Sequence, residues 1–103
     1  MIKWVSTWDD LKKYYDDFFK FAPILEDSTK FKKTSWVARG RKYNTPIYQG
    51  IFGKYRGKFF YRDQLHGDHC EVFNESKAHY GEMDFGGNID ETRADSTKRW
   101  PGP

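Results

Sequence analysis

FFYRDQL, at residues 59–65, is the clearest strand signal in this sequence. Phe59, Tyr61 and Asp63 fall on one face of such a strand, because successive side chains point to opposite faces. Turn-forming residues at 55–58 come directly before it. We therefore expect a strand with an aromatic and acidic face that is entered from a tight turn.

Further short strands separated by turns are predicted on both sides of this segment. They cover residues 35–38, 46–52, 70–73 and 79–83, and a strong turn signal follows at 86–88. This spacing predicts a twisted, mostly antiparallel β-sheet that is curled or barrel-like. Because aromatic residues make up 19% of the chain, we expect a core built largely from aromatic side chains.

One helix is predicted, over residues 7–22. Thr7 suits its N-cap, apolar residues recur at helical spacing as far as Phe19, and Pro23 ends it. The predicted fold class is therefore α+β, with an N-terminal helix followed by the sheet.

The length of 103 residues indicates a single domain over 1–103. Within it we expect a helical N-terminal segment at 1–29 and a basic β-sheet core at 30–99. Cys70 is the only cysteine, so an internal disulfide is excluded. No apolar run is as long as a signal-peptide core or a membrane span, and we predict no membrane-spanning segment.

Basic residues are concentrated in the middle of the chain. The segment 30–62 carries ten of them and no acidic residue, whereas 1–29 carries four basic and six acidic residues, and 63–103 carries four and nine. Such a block attracts phosphate backbones through counterion release, although it also fits a solvated sheet face. The candidate phosphate-binding residues are Lys54, Arg56, Lys58, Arg62, Lys98 and Arg99.

Asp63, His66 and Glu71 lie close together directly after this basic block. Cleavage of RNA needs a base for the 2′-hydroxyl, an acid for the departing 5′-oxygen and cations for the charge on phosphorus. A histidine with carboxylates supplies the first two, and neighbouring lysine and arginine residues supply the third. These three are our candidate catalytic residues, although an ordinary polar hairpin turn has a similar composition.

The geometry of this candidate site depends on the loop that follows residue 65. A two-residue loop at 67–68 would put Asp63 and Glu71 on opposite faces of the sheet. A three-residue loop at 67–69, or a β-bulge, would put them on the same face. The sequence leaves both arrangements open.

A metal site and a cysteine nucleophile are alternatives that use the same part of the chain. The potential metal ligands match no strong zinc pattern, and they are His66, Asp68, His69, Cys70 and His79. Cys70 falls on a predicted strand, where a buried thiol is usual. We therefore predict no metal and no cofactor.

The segment GKFFYRDQLHG at residues 57–67 resembles the cytotoxic ribonuclease domain of E-type colicins and cloacin. In that domain a lysine-rich strand leads into Asp-x-x-His-Gly, and a glutamate follows a few residues later. Asp63 and His66 match the family's catalytic aspartate and histidine, and Glu71 matches its glutamate with one residue inserted. The likeness continues in AHYGEMDFGGN at residues 78–88 and in Lys98-Arg99, which falls where the family has a functional Lys-Arg pair.

This resemblance covers residues 39–99 and implies a metal-independent endoribonuclease toxin. Its substrate would be the 16S ribosomal RNA at the decoding site, the product a 2′,3′-cyclic phosphate, and the effect an arrest of translation. Glu71 would be the general base, His66 the general acid and Asp63 the support of the histidine. Phosphate would be held by Arg99 and Lys58.

The resemblance also implies partners and a place of action. The partners would be the ribosome and an acidic immunity protein that neutralises the toxin. The toxin would act in the bacterial cytoplasm of its target cell, either as a free-standing protein or as part of a larger secreted toxin.

Two other functions fit the same sequence features. One is a non-catalytic RNA- or ribosome-binding module, and the other is a protein-interaction domain whose basic face meets an acidic partner. Replacing His66 by alanine separates the enzyme from the binding module. Salt-sensitive RNA binding separates the binding module from the interaction domain.

Overall fold

One antiparallel sheet dominates the computed structural model, which describes residues 23–40, 44–63 and 69–103. Each strand pairs with its neighbours in sequence, in the order β1-β2-β3-β4-β5-β6. The strands are β1 (Phe31–Ala38), β2 (Thr45–Gly50), β3 (Phe59–Arg62), β4 (His69–Phe73), β5 (His79–Asp84) and β6 (Ile89–Asp90). Three short 3-10 helices accompany them, at Pro23–Glu26, Gly53–Tyr55 and Glu91–Arg93. This meander puts β3, β4 and β5 side by side inside the sheet.

The predicted α+β class and barrel-like closure are wrong for the part of the chain that the structure describes. There the regular structure is a sheet with 3-10 helices, and it contains no α-helix. The sheet is open because β1 and β6 are edge strands, and β6 is only two residues long. A barrel would require those two edges to pair. The helix predicted over 7–22 lies outside the described residues.

Several predicted strands are confirmed, with shifted ends. The signal at 59–65 forms a strand over Phe59–Arg62, and the signals at 70–73 and 79–83 fall within β4 and β5. β1 begins at Phe31, four residues before the start that we predicted from the sequence. Among the described residues, no helix has the length and apolar character needed to cross a membrane.

Side chains alternate between two faces of the sheet, and each face carries its own apolar cluster. We call the face of Phe60 the first face and the face of Phe59 the second face. The first-face cluster is Leu25, Phe31, Tyr48, Tyr55, Phe60, Cys70, Val72 and Met83. The second-face cluster is Ala38, Ile47, Phe59 and Phe73, with Trp36, Tyr61 and Trp100 packed against it. Six buried aromatic side chains in these clusters confirm the predicted aromatic core.

Candidate active site

The register between β3 and β4 brings Asp63 and Glu71 to the second face. Tyr61 pairs with Glu71, and the Asp63 N–H donates to the His69 carbonyl oxygen at 3.0 Å. Opposed residues of an antiparallel pair point to the same side. This register puts the two carboxylates on one face, which is one of the two arrangements that the sequence left open for the connection at 64–68.

His66 and Asp68 belong to that connection and lie outside the described residues. The predicted role of His66 as general acid therefore stays a prediction.

A β-bulge in β5 turns His79 towards Glu71. The pairing of β4 with β5 shifts between Val72 and Phe73, which leaves Tyr80 as an extra residue. Strict alternation would have placed His79 on the first face. Instead its ring packs edge-on against Phe73, and its Nε2 lies 2.5 Å from Glu71 Oε2.

The tautomer of His79 follows from its second partner. The Asp95 backbone N–H donates to His79 Nδ1 at 3.0 Å, so Nδ1 is an acceptor and carries no proton. Nε2 must then carry the proton, and its N–H donates a hydrogen bond to Glu71 Oε2. Because the His79 side chain is fully buried, this orientation is held by packing as well as by the two hydrogen bonds.

A tight turn after the sheet supplies the other partner of Glu71. The Asp95 side chain accepts hydrogen bonds from the N–H and the hydroxyl of Thr97, and the Lys98 N–H donates to the Asp95 carbonyl oxygen at 3.1 Å. The turn places Lys98 Nζ 2.8 Å from Glu71 Oε1. Burial alone would lower the pKa of Lys98, but the hydrogen bond and the charge of Glu71 outweigh it and raise that pKa.

Glu71 is a buried carboxylate with both oxygens engaged. Its side chain is only 5% exposed, and it lies directly opposite the carboxylate of Glu82 in the sheet register. Burying a carboxylate, and placing like charges opposite each other, are both unfavourable unless cations and donors compensate. The donors from His79 and Lys98 provide this compensation. A carboxylate has about four acceptor sites, so these two donors do not saturate it.

His69 lies in the middle of three carboxylates on the second face. Its Nε2 is 3.1 Å from Asp63 Oδ2, 3.3 Å from Glu82 Oε1 and 3.4 Å from Glu71 Oε1. One ring nitrogen carries at most one hydrogen, so it can donate a hydrogen bond to only one of these three carboxylates at a time. The arrangement places an imidazole proton beside two of the predicted catalytic carboxylates.

The metal alternative takes a different form from the one expected. Donor atoms of Asp63, His69 and Glu71 lie within 4.8 Å of one another, which is close enough to hold a cation. Cys70, however, is buried on the first face, and burial raises the pKa of its thiol to about 12. It is therefore neither a ligand alongside Glu71 nor an activated nucleophile. Lys98 already brings positive charge to Glu71.

Tyr61 also faces this group, since it pairs directly with Glu71. Burial raises the pKa of Tyr61, and the negative charges of Glu71 and Asp63 raise it further. The phenol therefore keeps its proton across the neutral range and stays a hydrogen-bond donor.

The predicted phosphate-binding residues fall in different places. Lys54 and Lys58 have their ammonium groups over the rings of Tyr55 and Tyr80, which pack with the first-face cluster, and Arg62 is buried opposite Cys70. Arg56 is exposed. Of the predicted set, Lys98 contacts Glu71, and Arg99 lines an adjoining cavity with His79 and Lys98.

His79 and His69 were predicted from the sequence only as potential metal ligands, whereas the structure places both beside Glu71. The bulge that reorients His79 has no marker in the sequence. The contact between Lys98 and Glu71 joins residues 27 positions apart.

Comparison of the chain with protein-family models, with curated proteins and with solved structures finds no match in any of the three.

Proposed function

We propose that this protein is an endoribonuclease in which a 2′-hydroxyl of RNA attacks the neighbouring phosphate. The observation that carries the proposal is the Glu71 carboxylate, buried and held by His79 and Lys98 beside Asp63 and His69. A buried acid that opposes a second acid in the register needs such compensating donors, and titratable groups held in this way cluster at functional sites.

Glu71 is the proposed general base. It accepts hydrogen bonds and can accept a further one from a 2′-hydroxyl, after which the proton passes to its oxygen as the hydroxyl attacks. His79 holds the carboxylate in place through the hydrogen bond from its Nε2–H, while its other ring nitrogen accepts the N–H of Asp95. A base that is fixed before the substrate binds loses little by reorganising during the reaction.

The proposed general acid is a histidine beside Asp63. The resemblance to the colicin ribonucleases favours His66, whereas the described geometry offers His69, whose Nε2 is 3.1 Å from Asp63 Oδ2. In either case Asp63 stabilises the imidazolium that protonates the departing 5′-oxygen. Single replacements of the two histidines distinguish these roles.

Charge on the phosphorus centre is the third requirement, and Lys98 with Arg99 is proposed to meet it. Lys98 keeps its charge at neutral pH, since Glu71 holds the pKa of Lys98 above its ordinary value despite partial burial, and Arg99 lines the cavity beside it. The phenol of Tyr61 adds a neutral donor on the same face. No metal is needed for this set of charges.

The proposed substrate is ribosomal RNA, at the 16S decoding site, and the proposed effect is an arrest of translation in a bacterial cytoplasm. Support comes from the resemblance and from the basic block, of whose described residues five basic ones are exposed: Lys32, Lys33, Arg39, Lys54 and Arg56. The same exposed charges suit an acidic immunity protein as a partner.

The deciding experiment is incubation of purified ribosomes with the protein, followed by mapping of RNA ends. We expect one discrete cut with a 2′,3′-cyclic phosphate, lost on Glu71→Gln. Either His66→Ala or His69→Ala should abolish the cut, and the other replacement should leave it. Ribosome binding without any cut would instead favour the non-catalytic binding module, and absence of both would favour a protein-interaction domain.

A further inference from the structure

A cationic cavity adjoins the Glu71 group. Its volume is about 720 Å³, and its lining includes His79 and Lys98, which also contact Glu71. The lining also includes the cations of Lys77 and Arg99 and the indole of Trp100. Because two residues are shared, a ligand in the cavity lies next to the proposed reaction centre.

The charge of this cavity is opposite to that of the sequence around it. Residues 63–103 carry nine acidic residues and only four basic ones. Three of those four, Lys77, Lys98 and Arg99, line this one cavity, and none of the acidic residues that the structure describes does. Because these cations are concentrated in one cavity of an otherwise acidic segment, we expect the cavity to bind an anionic ligand.

A second cavity, of about 450 Å³, lies on the other side of the group and has the reverse character. Three carboxylates line it, those of Glu82, Asp84 and Asp90, and its cation is Arg93, the fourth basic residue of segment 63–103. The rest of its lining is His69, Asn88 and Ile89. Phosphate is repelled from such a wall. An RNA strand that reaches Glu71 therefore has one electrostatically favourable side on which to continue.

We infer that the cationic cavity is a subsite for the RNA phosphate next to the scissile one, with Lys77 as its specific cation and Trp100 as its apolar wall. This inference rests on the proposed ribonuclease function. Lys77 is exposed, has a positive φ of 67° and donates to the Pro103 oxygen at 2.7 Å, and its ammonium lies 5.9 Å from the ring centre of Trp100. The indole offers a surface for the sugar or base attached to that phosphate.

The test measures binding of an uncleavable 2′-O-methyl RNA hexamer as a function of salt. Lys77→Asn removes the charge and tolerates the positive φ, and Arg93→Gln removes one charge from the opposite cavity as a matched control. We expect Lys77→Asn to weaken binding several-fold and to reduce the salt slope by about 0.7, the value for one phosphate contact on a single strand. Arg93→Gln should leave the slope unchanged, and Lys77→Arg should restore wild-type binding.

The outcomes separate this inference from the function on which it rests. If the wild-type protein neither binds the hexamer nor cleaves ribosomal RNA, the ribonuclease proposal fails and the subsite fails with it. If the wild-type protein binds and cleaves but Lys77→Asn behaves like Arg93→Gln, only the subsite is wrong. Equal losses in Lys77→Asn and Lys77→Arg would assign Lys77 to holding Pro103 and would also overturn the subsite.

Discussion

His79 Nε2 lies 2.5 Å from Glu71 Oε2, while the opposite nitrogen of the same ring accepts the N–H of Asp95. One buried imidazole thus joins the middle of the sheet to the turn that follows it. The same turn delivers Lys98 to the other oxygen of Glu71. The carboxylate is therefore oriented by two elements that are distant in sequence, and changes in either should affect its chemistry.

Replacing Glu71 by glutamine should abolish the proposed reaction. An amide cannot take a proton from the 2′-hydroxyl, and the loss of a general base lowers rates by about 100-fold to 10,000-fold. The measurement is the initial rate of ribosomal RNA cleavage. Glu75→Gln, the same substitution at an exposed position, is the matched control and should cleave at the wild-type rate. A Glu71→Gln protein that retains cleavage within a few-fold would remove Glu71 from the mechanism.

His79 and Glu71 should be coupled in stability. Replacing His79 by alanine leaves the buried carboxylate with one donor fewer, and we expect a loss of about 1–3 kcal/mol in the free energy of unfolding. When His79→Ala is made in the Glu71→Gln protein, the further loss in the free energy of unfolding should be smaller. The difference between the two losses is the coupling energy of the pair, which we expect to be about 0.5–3 kcal/mol. Urea denaturation of the wild type, both single variants and the double variant gives this value. Strictly additive losses would show that the contact contributes nothing.

Cys70 should be unreactive in the folded protein and should affect alkaline stability. Burial raises the pKa of its thiol from 9.0 to about 12. Below pH 9 the thiol is protonated in both folded and unfolded chains, whereas between pH 9 and 12 only the unfolded chain ionises. The stabilising effect of the buried thiol is therefore fully present below pH 9 and is lost as the pH rises towards 12.

Thiol labelling and denaturation at several pH values test this prediction. Labelling of native protein at pH 8 should be slow and should accelerate on adding urea. The free energy of unfolding of the wild type should fall more steeply above pH 9 than that of Cys70→Ala. Rapid labelling without denaturant would mean that Cys70 is accessible, contrary to its complete burial.

Cleavage should survive removal of divalent ions. Lys98 already neutralises Glu71, and the proposed acid, base and cations are all side chains. We expect the same rate with EDTA, measured on a purified RNA fragment so that ribosome integrity plays no part. If EDTA abolishes cleavage and a divalent ion restores it, the metal site at Asp63, His69 and Glu71 becomes the correct interpretation.

The sequence predicted local features of this protein well and long-range ones poorly. Alternation at Phe59–Arg62 identified β3 because it depends on neighbouring residues alone. Closure into a barrel depends on pairing between the first and last strands, which residues near each strand do not report. The open sheet follows from a last strand of two residues, Ile89–Asp90, too short to close it.

The candidate site shows the same division. Asp63 and Glu71 were selected by residue type and spacing, and the pairing of Tyr61 with Glu71 supplies the shared face that the sequence left open. His79 required the bulge at Tyr80, and Lys98 required a turn far along the chain. Both depend on how strands and turns meet, so no short motif contains them.

The bulge at Tyr80 reverses the face that His79 would otherwise occupy. A regular strand that kept Tyr80 would pair Tyr80 with Phe73 and put His79 on the apolar first face, away from Glu71. Removing Tyr80 would leave His79 next to Gly81 and still opposite Phe73, on the second face. A two-residue period counted along β5 therefore assigns His79 to the wrong face, and only the pairing with β4 identifies the right one.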